Sequence, residues 1–281
     1  VRIDLHAHSA ASDGTDAPAE VVRAAVRAGL DVVALTDHDT TSGWEEAAAT
    51  ARRLGIALVP GMEISCQAGG ISVHLLSYLH DPTDEALLAE TSRTRDDRVG
   101  RARRMVERIA QDHPLTWDDV AGQVTDGATV GRPHIADALV ARGVVASRDE
   151  AFAGILDSRS PYYVRHYAPG AADAVRLVRA AGGVPVMAHP RAGRRGRVVD
   201  DEVIAGLADA GLAGLEVDHR DHLPEERVAL RGLARDLGLL VTGASDYHGT
   251  GKLNGIGEHT TSPAVLEAIE ATATGTRVVR G

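Results

Sequence analysis

The sequence predicts an α/β fold, a barrel of βα units around a mostly parallel sheet with a helical segment inserted into it. Three observations carry this expectation. Short β-branched or Leu-rich runs alternate with Ala-rich helical patterns along most of the chain, the arrangement that builds a parallel sheet flanked by helices. Glycine recurs where such a helical pattern stops before a strand-like run, at Gly29, Gly55, Gly182, Gly211 and Gly238, which is how αβ connections end. The stretch from about Asp81 to Ala168 breaks the rhythm: it is charged, lacks a convincing buried strand and holds several helix starts. Residues 1–80 and 169–281 are expected to form the barrel, and residues 81–168 an inserted helical subdomain that caps it or holds substrate.

In chain order the expected strands are Arg2–His6, Asp31–Thr36, Ile56–Pro60, Ile71–Leu79, Val184–Ala188, Leu212–Val217, Leu239–Gly243 and a terminal Thr276–Arg280. Between the first two, Thr15-Asp16-Ala17-Pro18-Ala19-Glu20 reads as a capped helix start with Pro in the first turn, followed by apolar Val22, Ala25 and Val26 and stopped by Gly29. The same grammar recurs over residues 42–55, 170–182, 200–211, 224–238 and 262–275. In the inserted segment a long helix is expected from about Asp84 to Asp112. It carries Arg93, Arg95, Arg98, Arg101, Arg103, Arg104 and Arg108, which read as a solvated charged face. Thr116-Trp117-Asp118-Asp119 and Ser147-Arg148-Asp149-Glu150 start further helices, the second in the capping-box pattern.

Composition removes several classes of function. The 281 residues are 44% hydrophobic and 25% charged, an ordinary globular make-up. No apolar run approaches the roughly 18 residues that a membrane span needs. The net charge of −10 argues against broad binding to duplex DNA, which depends on neutralising phosphates. All but one of the 30 basic residues are Arg, Lys252 being the exception, so a local pocket for phosphate remains open. Cys66 is the single cysteine, which leaves no intrachain disulfide and no thiolate cluster. A reducing, cytoplasmic setting is the expectation, and no leader pattern is visible at the start of the sequence.

Of the 13 histidines, an unusual share stand where an expected strand ends, often beside a carboxylate. Side chains at the C-terminal ends of barrel strands converge on one mouth. Asp4-Leu5-His6-Ala7-His8-Ser9, with Asp13 just beyond, ends the first strand; His6 and His8 point the same way and can clasp one ion. Thr36-Asp37-His38-Asp39 ends the second, where Asp37 is available to orient His38 and Asp39 to cap the loop. Glu63 follows the third, in Pro60-Gly61-Met62-Glu63. His74 lies inside the apolar run Ile71–Leu79, where a lone His is ordinarily a satisfied core residue. His189-Pro190 and Ser245-Asp246-Tyr247-His248 end two later strands. Nine His, Asp and Glu side chains without Cys suit Zn²⁺, Mn²⁺ or Fe²⁺. They are too many for one tetrahedral ion, and two or three ions sharing a carboxylate would use them all.

Together these motifs resemble the PHP family of metal-dependent phosphoesterases, over nearly the whole chain. The resemblance implies a distorted seven-stranded barrel with three metal positions. His6, His8, Glu63 and Asp246 would form the first set, Glu63, His74 and His189 the second, and Asp13, His38 and His248 the third, with Glu63 bridging two ions. The inserted segment, with Gly131-Arg132-Pro133-His134, is similar to the branch that removes the 3′-phosphate of nucleoside 3′,5′-bisphosphates or trims short single-stranded RNA from its 5′ end. By that resemblance Arg132 and His134 grip phosphate oxygens. On that expectation a hydroxide held by the ions would attack phosphorus, and His219 would protonate the leaving oxygen. The family usually has Tyr where Asp218 stands and a Lys near Tyr163-Val164-Arg165-His166, where Arg165 or His166 would substitute.

Two other readings use the same residues. A histidinol-phosphate or other small-monoester phosphatase would share the metal centre and differ in the insertion, and a non-catalytic binding module would be expected to have lost ligands. The segment Arg191-Ala192-Gly193-Arg194-Arg195-Gly196-Arg197 reads first as a surface loop and second as a place for another phosphate or an RNA strand.

Overall fold

Seven strands form one sheet in the order of the sequence: β1 (Ile3–Asp4), β2 (Val32–Leu35), β3 (Ala57–Ala68), β4 (Ile71–Tyr78), β5 (Val184–Met187), β6 (Gly214–Asp218) and β7 (Leu240–Gly243). The computed structural model describes residues 1–165 and 167–281, the side chain of Arg195 excepted. Neighbouring strands run parallel except at β3–β4 and β4–β5. Past β7 the chain returns to β1 through a bridge between Ala7 and Tyr247, where the His8 N–H donates to the Tyr247 carbonyl at 2.8 Å. The barrel is thereby nearly closed at its mouth.

Alternate residues of β2 enter two different cores: Val32 and Ala34 pack with Ile3, Leu5, Leu76 and Val186, while Val33 and Leu35 pack with Val21, Ala47 and Ala51. Burial on both faces explains why these strands read as short continuous apolar runs. Outside the sheet lie α1 (Pro18–Arg27), α2 (Trp44–Leu54), α7 (Ala171–Ala180), α8 (Asp201–Asp209), α9 (Pro224–Asp236) and α10 (Pro263–Thr272). The α1 start differs from expectation. Its N-cap is Ala17 without a side-chain cap, because Thr15 donates to the His248 carbonyl and Asp16 accepts from Tyr247.

β3 is the main departure from the expected strands. It does not stop at Pro60: it pairs with β2 as far as Pro60, then continues through Glu63 to Ala68, now paired antiparallel with β4. Gly69 and Gly70 join β3 to β4, both in the left-handed region (φ 56° and 75°), the conformation a two-residue hairpin turn requires. Glu63 and His74 thus face the site from the interior of a hairpin and not from strand ends. The expected terminal strand Thr276–Arg280 is absent, contributing only an isolated bridge from Val279 to Leu58.

Within residues 81–168, α3 (Glu85–Ile109), α4 (Trp117–Ala121), α5 (Arg132–Ala141) and α6 (Arg148–Ala153) enclose their own apolar cluster, including Met105, Ile109, Leu115, Ile135 and Leu139. Thr116 forms the reciprocal capping box with Asp119. Ser147 caps α6, but Glu150 reaches back to the Ala146 N–H, one residue earlier than the pattern expects. The α3 arginines are not one solvated face, because Arg98 and Arg101 are buried. No helix among the described residues is long and apolar enough to cross a membrane.

Candidate metal centre

The ends of β1, β2, β5 and β7 and the middle of the β3–β4 hairpin bring six imidazoles and three carboxylates to the barrel mouth. Around one point stand His6 Nε2, His8 Nε2, Glu63 Oε2 and an oxygen of Asp246. His6 Nε2 is 3.0 Å from His8 Nε2, 3.3 Å from Glu63 and 3.4 Å from Asp246. Ligands around a small tetrahedral ion lie about 3.4 Å from one another, given bonds of about 2.1 Å. A second group comprises His8, Asp13, His38 and His248, and a third His38, Glu63 and His74.

This grouping differs in two details from the sets implied by resemblance. His8 joins Asp13, His38 and His248 through its other ring nitrogen, 3.7 Å from Asp13 Oδ1. His38 stands beside Glu63 and His74, whereas His189 meets the same group at Glu63 Oε1, at 3.0 Å, with its ring edge-on to that of His74. Glu63 divides its oxygens: Oε1 faces His74 (2.8 Å) and His189 (3.0 Å), and Oε2 faces His6, His8 and His38. His74 is therefore not a core histidine; its Nδ1 lies 2.8 Å from an oxygen of the buried Glu63 carboxylate.

Whether these residues fit divalent ions is decided by their unmet nitrogens. His38 Nδ1, His74 Nδ1 and His248 Nε2 are buried and have no hydrogen-bond partner among the described residues, although carboxylate oxygens lie 3.4, 2.8 and 3.2 Å away. Buried polar atoms are nearly always satisfied, and lone pairs aimed beside a carboxylate, not at it, suit a shared cation. Burial lowers His38 and brings His248 down to about 4, which favours neutral rings able to donate a lone pair. Burial works to raise Asp13 and Glu63, but the surrounding imidazoles outweigh it and hold both carboxyls well below their ordinary range. Asp13, Glu63 and Asp246 carry a formal −3; two divalent ions would bring +4 and three +6, leaving net positive charge for an anion. The set fits such ions.

A surrounding layer of hydrogen bonds fixes the candidate ligands. Glu216 Oε1 lies 2.9 Å from His6 Nδ1, orienting that ring, and Oε2 accepts from the His189 backbone N–H at 2.8 Å, fixing the chain that carries the second ring. Asp37 does not orient His38; it accepts from Ser9 N–H, Ser9 Oγ and Ser12 Oγ, and so holds the loop carrying His8 and Asp13. Asp39 is no simple loop cap either, accepting from Ser65 N–H (2.8 Å), Ser65 Oγ (2.8 Å) and Arg98 Nε (3.0 Å). Three of the four non-glycine residues with positive φ among the described residues lie here: Asp39 (54°), His189 (30°) and Asp246 (53°). Such backbone costs on the order of 1–3 kcal/mol each and persists where surrounding bonds enforce it.

Of the expected substrate residues, His219 is fully buried with Nε2 3.6 Å from Asp246 Oδ2. Its Nδ1 accepts from the Asp221 N–H, so in the neutral ring the proton sits on Nε2, facing the cluster. His134 accepts the Gly131 N–H on Nδ1, and burial lowers its pKa. The neutral His134 ring therefore carries its N–H on Nε2. Arg132 donates to the Leu156 carbonyl and lies beside Tyr163, within electrostatic reach of Arg98 and Arg101. Arg165 is exposed and is not brought to this group; the arginine there is Arg101, and His166 lies outside the described residues. In the loop after His189, Arg191 pairs with Asp201 and Arg197 donates to Gly70 O.

Sequence reasoning missed Arg98, Arg101, Glu216 and Lys252. Only Glu216 left a local signal, an acid inside the apolar strand Leu215–Val217. Lys252, the one lysine of the chain, donates to Asp246 Oδ2 at 3.0 Å.

Comparison with known proteins agrees with this geometry. The PHP domain matches residues 4–121. A 3′,5′-nucleoside bisphosphate phosphatase of Chromobacterium violaceum is 36% identical over 258 residues, 89% of this chain and 88% of that one. The chain belongs to the PHP family. Another relative, a 5′-3′ exoribonuclease of Haemophilus influenzae, is 32% identical over 88% of this chain and 90% of its own. The crystal structure of a Bifidobacterium adolescentis protein inferred to be a metal-dependent phosphoesterase superposes with a TM-score of 0.95. It is 43% identical, over 97% of this chain and 96% of that one. The nearly closed seven-stranded barrel is thus the PHP fold, and the chain is a metal-dependent phosphoesterase.

Proposed function

We propose that this phosphoesterase removes the 3′-phosphate of nucleoside 3′,5′-bisphosphates and accepts short RNA at its 5′ end. The observation that carries the reading is a group of three arginines from the inserted segment. Arg98, Arg101 and Arg132 lie within electrostatic reach of one another; among the described residues Asp39 is the one carboxylate in direct ion-pair contact with any of them, while Asp97 and Asp157 act from farther off on Arg101 and Arg132. Burial, then mutual repulsion, lowers the pKa of Arg101 and Arg132. A phosphate would relieve both, through the planar forks that suit its oxygens. Arg98 joins this group to the metal cluster, since its partners Asp39 and Ser65 flank His38 and Glu63.

When bound by His6, His8, Asp13, His38, Glu63, His74, His189, Asp246 and His248, divalent manganese, iron or zinc would supply Lewis acidity and bring the pKa of water toward neutrality. The chain's own groups do the rest. Arg132, Arg98 and the Nε2–H of His134 hold non-bridging oxygens and favour the charge that develops on them. His219 presents its Nε2 proton on the side of Asp246, placed to protonate the leaving oxygen, a contribution of about 10²–10⁴-fold. Burial of the cluster excludes bulk water and strengthens each contact. A cytoplasmic setting, where nucleotides and RNA are plentiful, belongs to the same proposal.

The test is phosphate release from adenosine 3′,5′-bisphosphate and from histidinol phosphate under identical metal loading. Preference for the bisphosphate supports the reading, and preference for histidinol phosphate ends it.

A further inference from the structure

We infer that the cavity between α3 and the β2–α2 loop is a second phosphate subsite, holding the phosphate of the substrate that is not cleaved. The inference rests on the bisphosphate and RNA reading above and specifies how a substrate with more than one phosphate is told from a simple monoester.

The cavity has a volume of about 150 Å³. One wall is polar, formed by the consecutive hydroxyls of Thr40, Thr41 and Ser42 with Arg95 of α3 beside them; Met62, Pro82 and Leu87 make an apolar wall. Arg95 is half-buried and bonded only to hydroxyls, its Nη1 to Thr40 Oγ1 and its Nη2 to Ser92 Oγ, both at 3.3 Å. Among the described residues no carboxylate pairs with it. The two acids that line the cavity are engaged elsewhere: Asp39 with Arg98 and Ser65, and Asp81 with the N–H (2.8 Å) and hydroxyl (2.7 Å) of Thr83. A guanidinium without an acid, bonded to the Thr40 hydroxyl in a cavity that Thr41, Ser42 and apolar side chains also line, is suited to a phosphate group.

Its position relates the cavity to the cleavage site. Thr40 follows the candidate ligand His38 by two residues, at most about 7 Å of chain. Asp39, between them, is in the left-handed region (φ 54°), so the backbone turns there. Along α3, Arg95, Arg98 and Arg101 recur every third residue, each step a rise of about 4.5 Å. Arg95 reaches the cavity, Arg98 reaches Asp39 beside the metal cluster, and Arg101 lies near Arg132. A substrate with two phosphates engages both ends of this row; a monoester engages one.

The experiment compares wild type and Arg95→Gln, metal-loaded, on adenosine 3′,5′-bisphosphate, a 5′-phosphorylated tetraribonucleotide and p-nitrophenyl phosphate. KM for a substrate with two or more phosphates should rise roughly tenfold more than KM for p-nitrophenyl phosphate, the worth of one charge-assisted hydrogen bond. A selective rise with the bisphosphate alone assigns the subsite to nucleotides, and with the oligonucleotide alone to the RNA backbone. Equal changes for all three, or none, overturn the inference. Should wild type hydrolyse p-nitrophenyl phosphate but neither of the others, the bisphosphate reading fails on its own. Crystals soaked in inorganic phosphate then decide: density bonded to Arg95 and Thr40 supports the subsite, and its absence there overturns it.

Discussion

Changing Glu63 to Gln should strip two metal positions and spare the third. Glu63 is 1% exposed, and its oxygens are shared between two groups of rings: Oε1 with His74 and His189, Oε2 with His6, His8 and His38. The amide keeps the shape but removes the charge, and it aims an N–H donor at one of the two groups. Losing an outer contact to a metal ligand typically weakens binding about 10–100-fold. Losing a direct ligand common to two positions should therefore cost each at least about 100-fold. The set of His8, Asp13, His38 and His248 does not include Glu63 and should keep its ion. Elemental analysis after dialysis against limiting Mn²⁺, Fe²⁺ or Zn²⁺ gives the stoichiometry, and phosphate release gives the consequence. Unchanged metal content with unchanged turnover would refute the assignment of Glu63 as a bridge.

Three further outcomes follow from the same contacts. Asp39→Ala leaves Arg98 buried without its carboxylate and should destabilise the fold by about 3–5 kcal/mol, read as a lower urea midpoint. His134→Ala removes the acceptor for the Gly131 N–H and should cost about 0.5–2 kcal/mol, with a fall in phosphate release larger than the stability loss explains. The metal-free protein should be most stable between the model-compound values of 4.5 for Glu and 6.5 for His. Burial would raise Glu216, but His6 outweighs it and holds the carboxyl at about 2, so that stabilisation is complete above 4.5 and lost as pH falls toward 2. Burial would lower His6, but Glu216, Glu63 and Asp246 raise it well above 6.5, so its contribution is complete below 6.5 and lost as pH rises through the raised value. Stabilisation by added metal should run the other way and grow with pH, because ions compete with protons for the rings; urea midpoints with and without metal across pH 3–9 check both trends.

Much of this was legible because barrel strands, buried on both faces, end abruptly in polar residues. His6, His38, His189 and Asp246 each stand at such an end. The β3–β4 hairpin was less legible, since the mostly apolar run Leu58–Ile64, broken only by Gly61 and Glu63, does not reveal where a strand changes partner; the Gly69-Gly70 pair was the available clue. Arg98 and Arg101 could not be told from Arg103 and Arg104 by spacing, because burial depends on which face of α3 the barrel and residues 161–165 cover. Arg165 was expected at the substrate from its place in the chain, yet three-dimensional packing puts Arg101 near Arg132 instead. Long-range partners such as Glu216 with His6, 210 residues apart, leave little local trace.

The central claim is that rings and acids from separate strands share inorganic cations that the reaction requires. Chelation followed by stepwise addition of Mn²⁺, Fe²⁺ or Zn²⁺, with bound metal and phosphate release measured on the same samples, tests it directly. The account predicts two or three ions per chain at saturation, loss of turnover on chelation and its return as the ions bind. Full turnover in protein shown to hold no metal would contradict it.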